Sequence, residues 1–326
     1  MSAGAATAAA TAAGAASAAK SKMEAPTPVE VRGEREKEGH WPRITLVTAV
    51  YNGAKYIEET IRSVLDQGYP NLEYVVVDGA STDGTVEIVR RYENYLTRWS
   101  SEPDKGVYDG LNKGFAGATG EIMGWLNASD QLHNHGLFVV GSVFRALGEV
   151  EWITGRPTRF NPQGMTVDVR EVPRWSRYRF LAGANQFIQQ ESTYWRRSLW
   201  ERAGGALDAS YRDVGDFELW VRFFRHAPLY SVNALIGGYR SHDDAISSMD
   251  MGRYIQRCEE IVAREVKSLP RNTGLRLFRG ISRVVKPIPK VRGLWYKMAV
   301  RGLYQMPGSD WPPVIEDQEN KWGIRR

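Results

Sequence analysis

The sequence predicts an α/β fold on a mostly parallel, doubly wound sheet, and three observations carry that expectation. Ile44–Val50 and residues 73–77 are short apolar, β-branched runs, the form of parallel strands buried on both faces. Between them Ile57, Ile61, Val64 and Leu65 share one helical face, a stripe closed by Gly68 and Pro70. Strand and helix then keep alternating, which implies right-handed crossovers and a sheet covered on both sides.

The first strand ends in a turn at Tyr51-Asn52-Gly53, and the second ends at Asp78-Gly79. Ser81, Thr82 and Asp83 then offer caps for a helix over residues 85–92. Strands are expected over 96–100 and 121–126 with a helix over 107–116 between them; the later strand runs into Asn127-Ala128-Ser129-Asp130. A helix over 135–147 and a strand over 151–154 follow. Residues 157–184 are rich in Arg, Pro and Gly without a clear period, so a hairpin or mobile loop is expected there. A strand over 192–195, helices over 198–203 and 213–226, and a strand over 229–239 complete the body. Residues 1–40 are an Ala-rich tract and a charged stretch with too few large apolar side chains to offset the entropy of ordering. The organisation is thus a flexible arm over 1–40, a body over 41–250 and a basic extension over 251–326.

Charge divides along the same lines. The 326 residues carry 43 Lys+Arg against 38 Asp+Glu, a formal net charge of +5. Ten basic residues and no acidic one lie between positions 267 and 306, which leaves the remainder at −5. A domain basic throughout, as many nucleic-acid binders are, is therefore disfavoured. The extension is amphipathic: Leu277, Phe278, Ile281, Val284 and Val285 share a face flanked by Arg276, Arg279, Arg283 and Lys286. That pattern fits a helix lying on an anionic membrane surface, at about 1 kcal/mol per cation. RNA binding is the rival account of this segment, and no recognisable RNA module accompanies it. The single cysteine, Cys258, excludes an intrachain disulfide and fits a reducing, cytoplasmic compartment. No apolar run reaches the ~18 residues of a spanning helix, and the first twenty residues lack the pattern of a signal peptide.

In doubly wound sheets ligands bind beyond the carboxyl ends of the strands. Three such ends here carry polar groups: Tyr51-Asn52-Gly53, Asp78-Gly79 and the segment ending at Asp130. A carboxylate after the second strand can accept a base or ribose hydrogen bond, and one after a later strand can hold a divalent cation on phosphates. Neither a G-x-G-x-x-G nor a Walker loop follows the first strand. Blander readings exist for several of these residues. Asp-Gly is common turn punctuation, Asp83 suits a helix cap, Asp216 and Glu218 sit where helix dipoles favour carboxylates, and His133 and His135 fall in a polar loop.

Ordered motifs narrow the choice. Thr48-Ala-Val-Tyr-Asn52 and Leu72-Glu-Tyr-Val-Val-Val-Asp78-Gly-Ala-Ser-Thr-Asp83-Gly-Thr resemble the opening of the family 2 glycosyltransferases. Ser101-Glu-Pro-Asp-Lys-Gly-Val-Tyr-Asp109-Gly-Leu-Asn-Lys-Gly114, Trp125-Leu-Asn-Ala-Ser-Asp130, Gln189-Gln-Glu-Ser-Thr-Tyr-Trp-Arg-Arg197, Gly215-Asp-Phe-Glu-Leu-Trp220 and Tyr239-Arg-Ser-His242 resemble its bacterial surface-polysaccharide branch. The resemblance spans roughly residues 43–248, in order.

That resemblance implies a GT-A fold, a Rossmann-like sheet with flanking helices, and an inverting transfer from a nucleotide-sugar to a glycan or polyprenyl-linked acceptor. It points to Tyr51 and Asp78 as nucleoside contacts, and to Asn52, Asp109, Lys113 and Asn127 as further donor-binding residues. Asp130 would be the final carboxylate of the family's D-x-D element, holding Mg²⁺ or Mn²⁺, with His242 as a further metal ligand. The first position of that element is Ala128 or Asn127 here, never Asp. Asp216 corresponds to the family's general base, and the Glu that usually precedes it is Gly215. The residue types suit the chemistry: a carboxylate takes the acceptor proton, and a cation neutralises the departing diphosphate. Three rivals differ in what they require. A nucleotidyltransferase needs a basic glycine-rich loop after the first strand, a silent nucleotide-sugar-binding protein would account for the incomplete D-x-D, and an RNA-binding protein would use the basic extension.

Overall fold

The structure, a computed structural model, describes residues 40–183, 187–242, 251–269, 275, 279–281, 314–318 and 321–325. The arm up to residue 39 and most of the basic stretch over 267–306 lie outside them.

The first half alternates as the sequence reads: β1 (Ile44–Val50), α1 (Ile57–Leu65), β2 (Leu72–Asp78), α2 (Thr85–Arg91), β3 (Arg98–Ser101), α3 (Val107–Phe115) and β4 (Ile122–Trp125). A short β5 (Gln131–Leu132) precedes α4 (Gly136–Ala146) and β6 (Trp152–Thr154). The segment without a clear period forms a hairpin, β7 (Thr158–Phe160) with β8 (Thr166–Val169), and then α5 (Arg177–Leu181). There follow β9 (Thr193–Arg196), α6 (Arg197–Arg202), α7 (Gly215–His226), β10 (Tyr230–Ser231), β11 (Gly237–Arg240), α8 (Met251–Ser268) and a hairpin of β12 (Val314–Gln318) and β13 (Lys321–Arg325).

The central sheet has seven strands in the order β10-β6-β9-β4-β1-β2-β3. β1 pairs in parallel with both β2 and β4, β2 with β3, and β6 with β10; β9 alone runs antiparallel to its neighbours β4 and β6. Strand order reverses at β1, so a crevice opens beyond the carboxyl ends of β1, β2 and β4. A second sheet, β5-β11-β7-β8, stands beside it and delivers β11 to the same end.

Alternation along β1 feeds two cores. Val47 and Ala49 face a layer of α3, α6, α7 and α8, whereas Ile44, Leu46 and Val50 face α1 and α4. Helix α3 lies so close to the sheet that a Cβ on Gly114 would stand 2.3 Å from Val47 Cγ1. The first core is rich in tryptophan: Trp220 of α7 stacks on Trp125 of β4 at 5.7 Å and 7° between planes, with Trp152 and Trp195 alongside.

Two departures from the expected elements have local causes. The single strand expected over 229–239 is two strands in different sheets, β10 and β11. Between them Val232 bridges Ile315 and the Asn233 N–H bonds to Ile315 O at 2.9 Å, so this stretch pairs with β12 instead of continuing β10. The extension, expected to be helical, begins with α8 and contains the β12–β13 hairpin near its end. Helix α8 is also part of the body's packing: Cys258, Ile261, Val262 and Val266 are buried in the same core as α7. No described helix is long and apolar enough to cross a membrane.

Candidate active site

The loops after β1 and β2 are laced together. The N–H groups of Asn52, Gly53 and Ala54 donate to Ser81 Oγ (2.7 Å), Thr85 Oγ1 (2.9 Å) and Asp83 Oδ2 (3.0 Å), and the Thr82 N–H returns to Asn52 Oδ1 at 2.9 Å. Asn52 takes a positive φ of 50° to do this, a conformation Asn tolerates better than most residues. The backbone donors after β1 are thus satisfied by side chains, which agrees with the lack of a phosphate-cradling sequence. Asp83 sits just ahead of the α2 N-cap, Gly84, and accepts from the Thr85 N–H at 3.1 Å. Burial raises its pKa and hydrogen bonds from Thr85 and Ala54 outweigh that, leaving the carboxyl below its ordinary range.

Tyr51 projects from this clasp 67% exposed, an aromatic face open to a ligand. Asp78 ends β2 fully buried; it accepts from the Ser81 N–H at 3.0 Å, the Ser101 hydroxyl at 2.7 Å and the Ser81 hydroxyl. Three donors hold the carboxylate in place and leave it acceptor capacity for one more. Behind it Asp104 occupies the space of two missing side chains: a Cβ on Gly79 would meet Asp104 Oδ2 at 2.8 Å, and one on Gly110 at 3.1 Å.

Asp109 and Lys113 are engaged within their own helix and its approach. Asp109 accepts from the Lys105 N–H at 3.1 Å, and Lys113 Nζ sits 2.9 Å from both Glu102 Oε1 and Pro103 O, with Asp109 at 3.9 Å. The Glu102 bond lifts the Lys113 pKa above its ordinary value. This ammonium braces the loop between β3 and α3.

Asp130 is 1% exposed at the end of the loop after β4. Its oxygens accept from the Arg240 N–H at 2.9 Å and the Asn127 amide at 3.1 Å. Burial pushes its carboxyl up to about 7, against the lowering effect of those two donors and of the Arg240 charge. Arg240, 0% exposed on β11, organises the corner: its guanidinium reaches Ser129 O (2.7 Å), Pro162 O (2.9 Å) and Glu59 Oε2 (2.6 Å). It also lies over the Tyr56 ring, 4.7 Å from the centroid, and the His242 ring packs on the same Tyr56 at 4.8 Å. Asp130, Asn127, Arg240 and His242 are so brought to one corner. Among the described residues no three His, Cys, Asp or Glu side chains gather as a ready metal cage.

Asp216 lies in the first turn of α7, partly buried, and accepts the Tyr108 hydroxyl at 3.3 Å. Burial pushes its carboxyl from the ordinary 3.8 up to about 6, and hydrogen bonds from Phe217 N–H and Tyr108 only partly counter that. The packing of Trp220, one turn on, fixes the helix and hence the acid. Gly215, where the resembled family carries Glu, has a local reason: a Cβ there would meet the Tyr108 ring at 2.7 Å. Glu218 is bound instead by Arg222, whose Nε is 2.9 Å from both its oxygens.

One further acid emerges only from the fold. Glu191, just before β9, is 4% exposed, and its Oε1 carries no hydrogen bond. Burial raises its pKa well above the ordinary range, and the charges of Asp130 and Asp216 add to the effect, so Glu191 lies within electrostatic reach of both. The sequence signal is a lone carboxylate two residues ahead of β9. Of the two histidines in the polar loop, His135 is exposed, whereas His133 is half-buried, bonded to Thr158 Oγ1 at 2.8 Å and packed on Phe160.

Comparison with known proteins assigns this architecture to a class. Residues 45–147 match the family model for glycosyl transferase family 2. A Mycobacterium tuberculosis protein described as an uncharacterized glycosyltransferase is 29% identical over 189 residues, covering 56% of this chain and 68% of its own. TuaG of Bacillus subtilis, named for teichuronic acid biosynthesis, is 37% identical over 93 residues, 28% of this chain and 37% of its own. The crystal structure of S. aureus TarS 1–349 in complex with UDP-GlcNAc superposes with a TM-score of 0.59 at 16% identity, covering 81% of this chain and 82% of that one, a likeness of fold. The match to glycosyl transferase family 2 is thus confined to residues 45–147, and the fold is that of the GT-A glycosyltransferases.

Proposed function

We propose that this protein transfers a sugar, with inversion, from a nucleotide-sugar to a glycan or polyprenyl-linked acceptor in surface-polysaccharide synthesis. The observation that carries the reading is Asp216: a partly exposed carboxyl with its pKa lifted to about 6, at the same sheet end as Asp78 and Asp130. A base near the operating pH can remove the acceptor proton as the hydroxyl attacks the anomeric carbon. Tyr51 offers the nucleoside an exposed ring, and Asp78, buried and held by Ser81 and Ser101, anchors the clasp that carries it. The teichuronic acid relative and the UDP-GlcNAc complex of the fold relative support this choice of donor and product class.

The residues fit a divalent cation of the kind assembled with its substrate. Mg²⁺ and Mn²⁺ need one or two protein ligands when phosphate oxygens supply the rest, and Asp130 and His242 are the candidates. When bound, such an ion would offset the negative charge that gathers on the departing diphosphate. The chain's own part is to hold Asp130 in place through Asn127 and Arg240.

Thermal melting with a panel of nucleotide-sugars and Mn²⁺ tests the donor reading, since a ligand of the folded state must raise its stability. One nucleotide-sugar should raise the melting temperature and be turned over. Stabilisation with no turnover on any acceptor would favour a silent binding protein.

We also propose attachment to the cytoplasmic face of a membrane through the basic residues of 267–306. Co-sedimentation should favour anionic over neutral vesicles by about tenfold in 0.1 M salt or below. Equal binding to both would refute it.

A further inference from the structure

Helix α8, packed on α7, presents a surface the donor reading does not use. Tyr254 sits on its inner face, half-buried, one turn before the buried Cys258. Tyr254 packs against the buried cluster that holds Phe217, the residue after Asp216; burial and then the Asp216 charge raise its hydroxyl far above its ordinary range. Arg257 pairs with Asp213, three residues ahead of Asp216. At the far end of the helix Glu265, 2% exposed, is gripped by Arg177 at 2.9 Å and Arg225 at 2.7 Å. These contacts tie α8 to α7, so Tyr254 and Asp216 hold a fixed relation.

Phe187 comes from a different part of the chain and is 58% exposed, among the most exposed large apolar side chains described. Its ring stacks on Tyr254 with centroids 5.6 Å apart and planes 18° from parallel. Exposing so much aromatic surface is costly unless something covers it. One face of a pyranose ring is a sheet of C–H groups, while its rim carries hydroxyls. The exposed outer face of Phe187, with Tyr254 stacked behind it, suits the C–H face, and an acid that removes a hydroxyl proton suits the rim.

We propose that Phe187, backed by Tyr254, forms the acceptor subsite: the apolar face of an acceptor pyranose stacks on the outer face of the Phe187 ring while one of its hydroxyls reaches Asp216. This rests on the reading of Asp216 as the base. Arg253 and Arg257, interleaved with Tyr254 on α8, suit the hydroxyl-bearing rim of a sugar better than a hydrocarbon chain. Met251 and Ile255, 47% and 39% exposed on the same stripe, are the residues a lipid chain would use.

Saturation-transfer NMR on the full chain, with UDP or GDP and a panel of methyl glycopyranosides, separates these cases. The wild type should saturate the ring C–H protons of at least one glycoside. Phe187→Ala should reduce that signal about fivefold or more and leave the nucleotide signal unchanged. Phe187→Leu, which keeps apolar bulk without the flat ring, should lose most of it too. Retention of the signal in Phe187→Ala, or no glycoside binding by the wild type, overturns the platform. So does binding of undecyl phosphate in place of every glycoside. A wild type that ignores nucleotides but binds a glycoside through Phe187 would instead sink the donor reading and leave the platform standing.

Discussion

Asp216→Asn is expected to lower kcat by about 10²–10⁴-fold with little change in donor affinity, because it removes the acceptor's proton sink and keeps the shape. In the wild type, kcat should fall as pH drops through about 6, where the carboxyl takes up its proton. The same substitution should raise stability. The folded chain binds this proton more tightly than the unfolded chain, whose carboxyl titrates near the ordinary 3.8. Ionising the folded form therefore carries a cost, full above pH 6 and absent below the unfolded value. About two pKa units correspond to at most about 3 kcal/mol, less what solvent screens at the exposed edge. Urea midpoints should then favour Asp216→Asn at pH 8, with the difference gone at pH 3.5. A variant retaining half of wild-type turnover would place the base elsewhere.

Arg240→Ala is expected to cost about 3–5 kcal/mol in urea unfolding at unchanged m-value. The guanidinium is fully buried, and its loss would leave Ser129 O and Pro162 O without their donor and uncover the Tyr56 ring. It would also free the loop that carries Asp130, so nucleotide-dependent thermal stabilisation should shrink even where the protein remains folded. Arg240→Lys should recover only part of the loss, since one ammonium cannot span three acceptors held by a planar fork. Wild-type midpoints in Arg240→Ala would show that the corner is held by other contacts.

How far the molecule can be read from its sequence depends on the range of the physics. β1 and β2 announce themselves because a strand buried on both faces must be apolar throughout. The clasp was half legible: the Asp83 contact with Thr85 follows from its neighbours, whereas the bond from Asn52 to Thr82 needs two loops to meet. The division of residues 229–239 into β10 and β11 depends on Ile315, far along the chain, which no local pattern reveals. Asp109 and Lys113 were assigned to the donor by resemblance, and the structure shows how they brace their own loop. Glu191 went unassigned because a single carboxylate has no period or spacing, and its meaning lies in Asp130 and Asp216 nearby.

The two halves of the site differ in the chain they must close. The clasp joins residues 29 to 32 positions apart. Seating Asp216 against Tyr108 spans 108 positions, Asp130 against Arg240 spans 110, and Arg240 against Glu59 spans 181. Loop-closure entropy makes each long-range contact about 1 kcal/mol more costly than a clasp bond. Entropy therefore favours closing the clasp between the loops after β1 and β2 before Asp216 and the Asp130 corner are seated, so the clasp is the part of the site a partly opened chain keeps longest.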